Sequence, residues 1–144
     1  MSALRFGVVA FAALALFACN TDSLQGYPAQ RLVDKDWRAE TINDVPVSIP
    51  NPVTLSFNEG NASGRSGCNQ YSGMVEYDNS HIKFGTLIST KMACIAGNAM
   101  QVETAYLSGL QSVRAYSFDG SGKLILRGNK TSIRFAPQSR QIRP

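Results

Sequence analysis

The feature that most constrains this chain is an alternation of apolar and polar residues with period two, repeated along most of its length. Val53-Thr-Leu-Ser-Phe57 shows it cleanly, and Asn58-Glu-Gly60 ends the run with turn residues. Alternation of this kind marks a strand with one face against a core and the other toward water. Tyr71 to Tyr77 repeats the pattern, followed by a turn at Asp78-Asn79-Ser80. His81 to Phe84 and Thr86 to Ile88 come next, with Gly85 between them as a candidate bulge. Three more strands are predicted at Val113 to Phe118, Lys123 to Arg127 and Ser132 to Phe135, joined through Asp119-Gly-Ser-Gly122 and Gly128-Asn-Lys130.

One stretch departs from this rhythm. Between Asn98 and Val113 the apolar residues Val102, Tyr106, Leu110 and Val113 fall on a helical stripe, and Asn98 with Gln101 has the form of a capping box. Trp37 and the Val45-Pro-Val47 region add apolar material near the start of the chain. A lone helix among strands needs a sheet to cover. The expected fold is therefore α+β and mainly antiparallel β, a barrel-like or sandwiched sheet with one packed α-helix. At 144 residues the chain suits one such domain.

The N-terminus carries an address. Arg5 precedes an unbroken apolar run from Phe6 to Phe17, then Ala18-Cys19-Asn20. A membrane-spanning helix needs about 20 apolar residues, so this run is short for a span and has the proportions of a secretory signal. Leu16-Phe17-Ala18-Cys19 resembles the bacterial lipobox, in which the cysteine is acylated and the signal is cut just before it. The resemblance implies a signal peptide over 1–18, a lipidated Cys19 with a polar tether over 19–30, a domain over 31–136 and a polar, frayed tail over 137–144. The partner so implied is the membrane, reached through acyl chains on Cys19. Asn20, where inner-membrane retention calls for aspartate, points to the outer membrane facing the periplasm.

Three cysteines cannot all pair within one chain. With Cys19 acylated, Cys68 and Cys94 are left in an oxidising compartment, where a disulfide is the default. A thiolate nucleophile would want a histidine, and the chain has only His81; a zinc site would want four ligands and a close cysteine pair. No metal or other cofactor is expected.

Gly64-Arg-Ser-Gly67-Cys68-Asn69, then Gly73 and Tyr77, then Thr90-Lys-Met-Ala-Cys94, then Glu103 resemble the META domain, the heat-shock protein HslJ family of bacterial envelope proteins. The resemblance runs from about Trp37 to Phe135 and includes the early turn Ile42-Asn43-Asp44-Val45-Pro46, whose type stays open. It implies a small mixed fold, an envelope location and a link to stress and antibiotic tolerance, with no reaction, cofactor or catalytic residue. Each motif residue also has a reading in folding alone. Gly64 and Gly67 permit positive φ or close approach, Asn69 can brace the local backbone, Met92 can fill core, and Glu103 suits the positive end of a helix.

Enzymatic readings lack converging groups. Ser66 and Ser89 have only His81 as a base, and Glu59, Glu76, Asp78 and Glu103 are the carboxylates available to a hydrolase. The charge is more informative. The formal net charge is +4, yet residues 111–144 hold seven basic side chains and one acidic, Asp119. Arg114, Lys123, Arg127, Lys130 and Arg134 either decorate the exposed faces and turns of strands whose Leu124, Leu126, Ile133 and Phe135 point inward, or form a candidate surface for an anionic envelope component or an acidic protein. The expected function is that of a non-enzymatic envelope lipoprotein, monomeric, without nucleic-acid binding, that binds or stabilises something under stress. The alternatives are an inhibitor of a cell-wall hydrolase acting through a loop at Asn58 to Ser66, and a carboxylate-dependent hydrolase.

Overall fold

The computed structural model describes residues 28–94 and 97–139; Cys19, the signal segment and most of the tether lie outside them. The chain runs α1 (Pro28–Val33), β1 (Asp36–Ile42), β2 (Val45–Pro46), β3 (Thr54–Asn58), β4 (Asn61–Arg65), β5 (Gln70–Tyr77) and β6 (Ile82–Ser89). It continues through α2 (Ala99–Ser112), β7 (Val113–Phe118), β8 (Leu124–Gly128) and β9 (Thr131–Gln138). Every pairing is antiparallel. The strands form one sheet in the order β6-β5-β4-β3-β1-β9-β8-β7, with β2 paired to β1. Its two ends meet at a bridge between His81 and Ala115, so the sheet is a nearly closed barrel with α2 as the main helix packed on it. Near-closure leaves little free edge for unwanted pairing.

The alternation explains what fills the barrel. Leu55 and Phe57, Tyr71 and Val75, Ile82 and Phe84, Leu124 and Leu126, and Ile133 and Phe135 all point inward and are buried. From α2 come Tyr106 and Leu110, both fully buried, while Gly109 lets the helix settle against Ile133 and Thr131. The Tyr106 and Tyr71 hydroxyls lie 2.7 Å apart, and Tyr71 donates to the Thr54 carbonyl at 2.9 Å. Burial pushes both phenols well above their ordinary range, so they remain neutral donors. Tyr106→Phe leaves Tyr71 its bond to Thr54 and removes one buried donor. It is expected to cost about 1 kcal/mol in a urea titration, against 3 kcal/mol or more for Tyr106→Ala.

Four turn and bulge expectations acquire definite geometry. Asn43 and Asp44 have φ of 50° and 63° between the paired Ile42 and Val45, which is the mirror-image turn that suits the twist of a hairpin. Between Phe84 and Leu87 the register shifts, setting Gly85 and Thr86 against Met74 as a bulge. At Asp119 the carboxylate accepts from Ser121 N, Ser121 Oγ and Lys123 N, and these bonds, the Ser121 hydroxyl first, hold its carboxyl below the usual range. Gly128 pairs with Thr131, leaving Asn129 and Lys130 as a two-residue turn with Lys130 at φ 57°.

Other expectations are corrected. The tether over 19–30 ends sooner, because Pro28 to Val33 is helical: Leu32 is fully buried, and its carbonyl accepts the Trp37 indole N–H at 2.9 Å. Trp37 belongs to a strand, β1, in which Glu40 is the extra residue of a bulge between Ala39 and Thr41. The stretch Asn58 to Ser66 is not a free loop, since Asn61 to Arg65 is a strand paired on both sides. Pro137 and Gln138 do not fray but pair with Trp37 and Asp36. Asn98 makes no side-chain cap at the start of α2. Met92 is 64% exposed and fills no core.

Candidate functional site

Most of the motif residues come together at one end of the barrel, where the turn between β4 and β5 meets the segment after β6 and the first turns of α2; Tyr77 lies at the far end of β5, edge-on to Phe57. Gly67 adopts φ +121°, open to glycine and strained for any other residue. Gly64 serves differently: a side chain there would collide with the Thr54 carbonyl, so its absence lets β4 press against β3. Gly73 lies opposite Leu87 in the β5–β6 ladder.

Asn69 is the hub of this end. Its Oδ1 accepts from Met92 N at 2.7 Å and Thr90 Oγ1 at 2.9 Å, and its Nδ2 donates to Glu103 Oε1 at 2.8 Å. A backbone N–H can only donate, so Met92 N fixes which way the Asn69 amide points. Glu103 Oε2 accepts from Ser66 Oγ at 2.7 Å and from Asn69 N at 3.0 Å. Burial by itself would raise the Glu103 carboxyl. The hydrogen bonds from Ser66, Asn69 and the Cys68 backbone outweigh it and hold the group below its ordinary range. Beside this network Cys68 and Cys94 form a disulfide, with Cα atoms 5.8 Å apart. A small cavity of about 250 Å³ adjoins it, lined by Ile49, Pro50, Ala93 and Ala99 together with the cystine.

This geometry differs from the local roles read from the sequence. The Asn69 side chain braces segments 21 to 34 residues away, and it is the Asn69 carbonyl, accepting from Ser66 N and Oγ, that holds its own turn. Glu103 reaches back across the barrel end in addition to sitting near a helix start. Ser66, weighed only as a nucleophile, is fully buried and gives its proton to Glu103. His81 bonds through Nδ1 to Asp78 and Ser80, on the turn before β6, and no contact joins it to Ser66. Among the described residues no group of three or more His, Cys, Asp or Glu side chains is placed to hold a metal ion. The Ser66–Glu103 link was invisible beforehand because 37 residues separate the partners and no periodicity connects them.

The family model of the META domain matches residues 30–140. The chain belongs to the META domain family. It is similar to an NMR structure of a protein from Burkholderia xenovorans, at 27% identity with a TM-score of 0.63, covering 78% of this chain and 89% of that one. A second NMR structure is similar at 25% identity and a TM-score of 0.61, covering 75% of this chain and 92% of the other. No curated protein matches closely enough to count as a relative.

Five basic side chains of the C-terminal quarter of this META domain lie on β7–β9 and their turns, and two of them are paired with carboxylates. Lys123 pairs with Glu40 at 2.8 Å and Arg134 with Asp119 at 2.9 Å. Arg127 donates to Ser117 Oγ, and Arg114 donates to the carbonyls of Gln111 and Val113. Lys130 stands in the β8–β9 turn without such a partner among the described residues.

A different surface is open. A groove of about 560 Å³ lies on the outer face of β4, β5 and the end of β6, lined by Arg65, Gln70, Ile88 and several hydroxyls. Its lining contains no carboxylate.

Proposed function

We propose that this META domain is a non-enzymatic module of the bacterial envelope, anchored through lipid on Cys19, that acts by binding during envelope stress. One observation carries the non-catalytic part. The motif side chains that could do chemistry, Ser66, Asn69 and Glu103, are spent on one another in a closed network. A general base must be free to reach substrate, and a carboxylate with three donors on it is not. The Cys68–Cys94 cystine favours an oxidising compartment, and the lipobox-like Leu16-Phe17-Ala18-Cys19 supplies the export route and the anchor.

Intact-mass analysis of protein isolated from membranes tests the anchor. The expected species begins at Cys19, carries two or three acyl chains, and is two hydrogens light for the cystine. Cys19→Ser is expected to move the domain out of the outer-membrane fraction without unfolding it. An unacylated Cys19 in the isolated protein would sink the anchor. Unchanged survival of a deletion strain under envelope stress would sink the stress role.

A further inference from the structure

We infer that the groove on the outer face of β4–β6 is a binding site for an acidic saccharide, a sugar unit bearing a carboxylate or a phosphate. The registers place six outward side chains in two rows. Ser63, Ser72 and Ile88 form one row across the three strands; Arg65, Gln70 and Thr90 form the other. Neighbouring strands are about 4.8 Å apart, so each row presents side chains at intervals close to the width of a sugar ring. The volume, about 560 Å³, falls within the range of small-molecule sites.

The chemistry of the rows selects the ligand. The Ser63 and Ser72 hydroxyls, the Gln70 amide and the Arg65 guanidinium make no hydrogen bond or ion pair with any described residue. Hydroxyl and amide groups both donate and accept, as a polyol does. Arg65 has no carboxylate in the lining to neutralise it, whereas Lys123 and Arg134 each have one nearby. A guanidinium fork pairs best with a carboxylate or phosphate. Ile88, 74% exposed at the end of its row, offers an apolar surface to the C–H face of a sugar. A peptide adding as a strand could reach only the outer edge of β6, because β4 and β5 lie inside the sheet with both edges already paired.

The inference rests on the reading of this domain as a binding module, and it is independent of the anchor, whose failure the mass measurement would show by itself. The test uses the mature protein in detergent micelles, labelled with ¹⁵N and titrated with four probes: digalacturonate, glucose 6-phosphate, neutral cellobiose and inorganic phosphate. Amide shifts confined to β4–β6 are expected with the acidic sugars, and at least tenfold weaker binding of cellobiose. Digalacturonate and glucose 6-phosphate separate the carboxylate from the phosphate source. Arg65→Gln is expected to erase the preference for acidic over neutral sugar, Ser63→Ala with Ser72→Ala to weaken both acidic probes, and Lys83→Gln to change nothing. Cellobiose binding as tightly as digalacturonate would overturn the acidic assignment. Inorganic phosphate matching the sugar phosphate, or no shifts in β4–β6 with any probe, would overturn the saccharide site.

Discussion

Glu103→Ala is expected to lower the stability of the folded domain by about 3 kcal/mol, because it strands the Asn69 backbone N–H and leaves the Ser66 hydroxyl and the Asn69 amide only their longer bonds to the Asn69 and Met92 carbonyls. Ser66 is fully buried and Asn69 is 5% exposed, so water cannot readily replace the carboxylate. Glu103→Gln should recover little of that loss despite its matching shape. Its NH₂ group would face the Asn69 NH₂ in one orientation and the Asn69 backbone N–H in the other, and Asn69 cannot flip because Met92 N holds its Oδ1. Chemical denaturation at neutral pH measures both variants. The effect also has a pH signature. A carboxyl held below its unfolded value of 4.5 contributes stability above that pH and loses it as pH falls through the folded value. The difference between wild type and Glu103→Ala should therefore be constant above about pH 5.5 and shrink steadily below pH 4.5. A difference that stays flat down to pH 3 would show that the carboxylate's charge plays no part.

Removing the cystine is expected to cost about as much, by another route. Cys68 and Cys94 are 26 positions apart, and closing a loop of that size constrains the unfolded chain by about 3.5 kcal/mol on the entropic model. For a domain of this size that corresponds to a fall in Tm of about 15 °C, read by calorimetry on Cys68→Ser with Cys94→Ser. Native topology should survive, since the β5–β6 hairpin inside the loop is held by its own ladder. The cystine and the Asn69–Glu103 network tie the same turn to the same segment. Once one tie is lost the other has more to hold, so the triple variant should be destabilised by more than the sum of the separate losses. Strict additivity would mean that the two ties act independently.

Much of the architecture was legible in the sequence because it rests on local periodicity. The strands at Val53–Phe57 and Tyr71–Tyr77, the α2 stripe through Tyr106 and Leu110, and the bulge at Gly85 each follow from a pattern a few residues long. The elements that were missed have poor local signals. Asn61-Ala-Ser-Gly-Arg65 carries a single inward apolar residue, Ala62, and becomes a strand because β3 and β5 both pair with it. Pro28 to Val33 is helical because Leu32 has a place in the core under Trp37, which short-range propensity does not report.

The same division holds for the site. From the sequence came a lipobox-like address at Cys19, a cysteine pair, and glycines at positions where a Cβ would collide or strain the backbone. It also singled out Asn69, Thr90 and Glu103, though with Asn69 as a local brace and Glu103 as a carboxylate at a helix start. Only the tertiary structure decided that these residues hold one another across 21 to 34 positions, that four of the C-terminal basic side chains find partners among the described residues, and that Arg65 faces an open groove without one. The reason is physical. Periodicity records which face of an element is apolar, a property of neighbours in sequence. Hydrogen-bond satisfaction and charge pairing depend on which elements the barrel closes side by side, and no stretch of this chain contains that information alone.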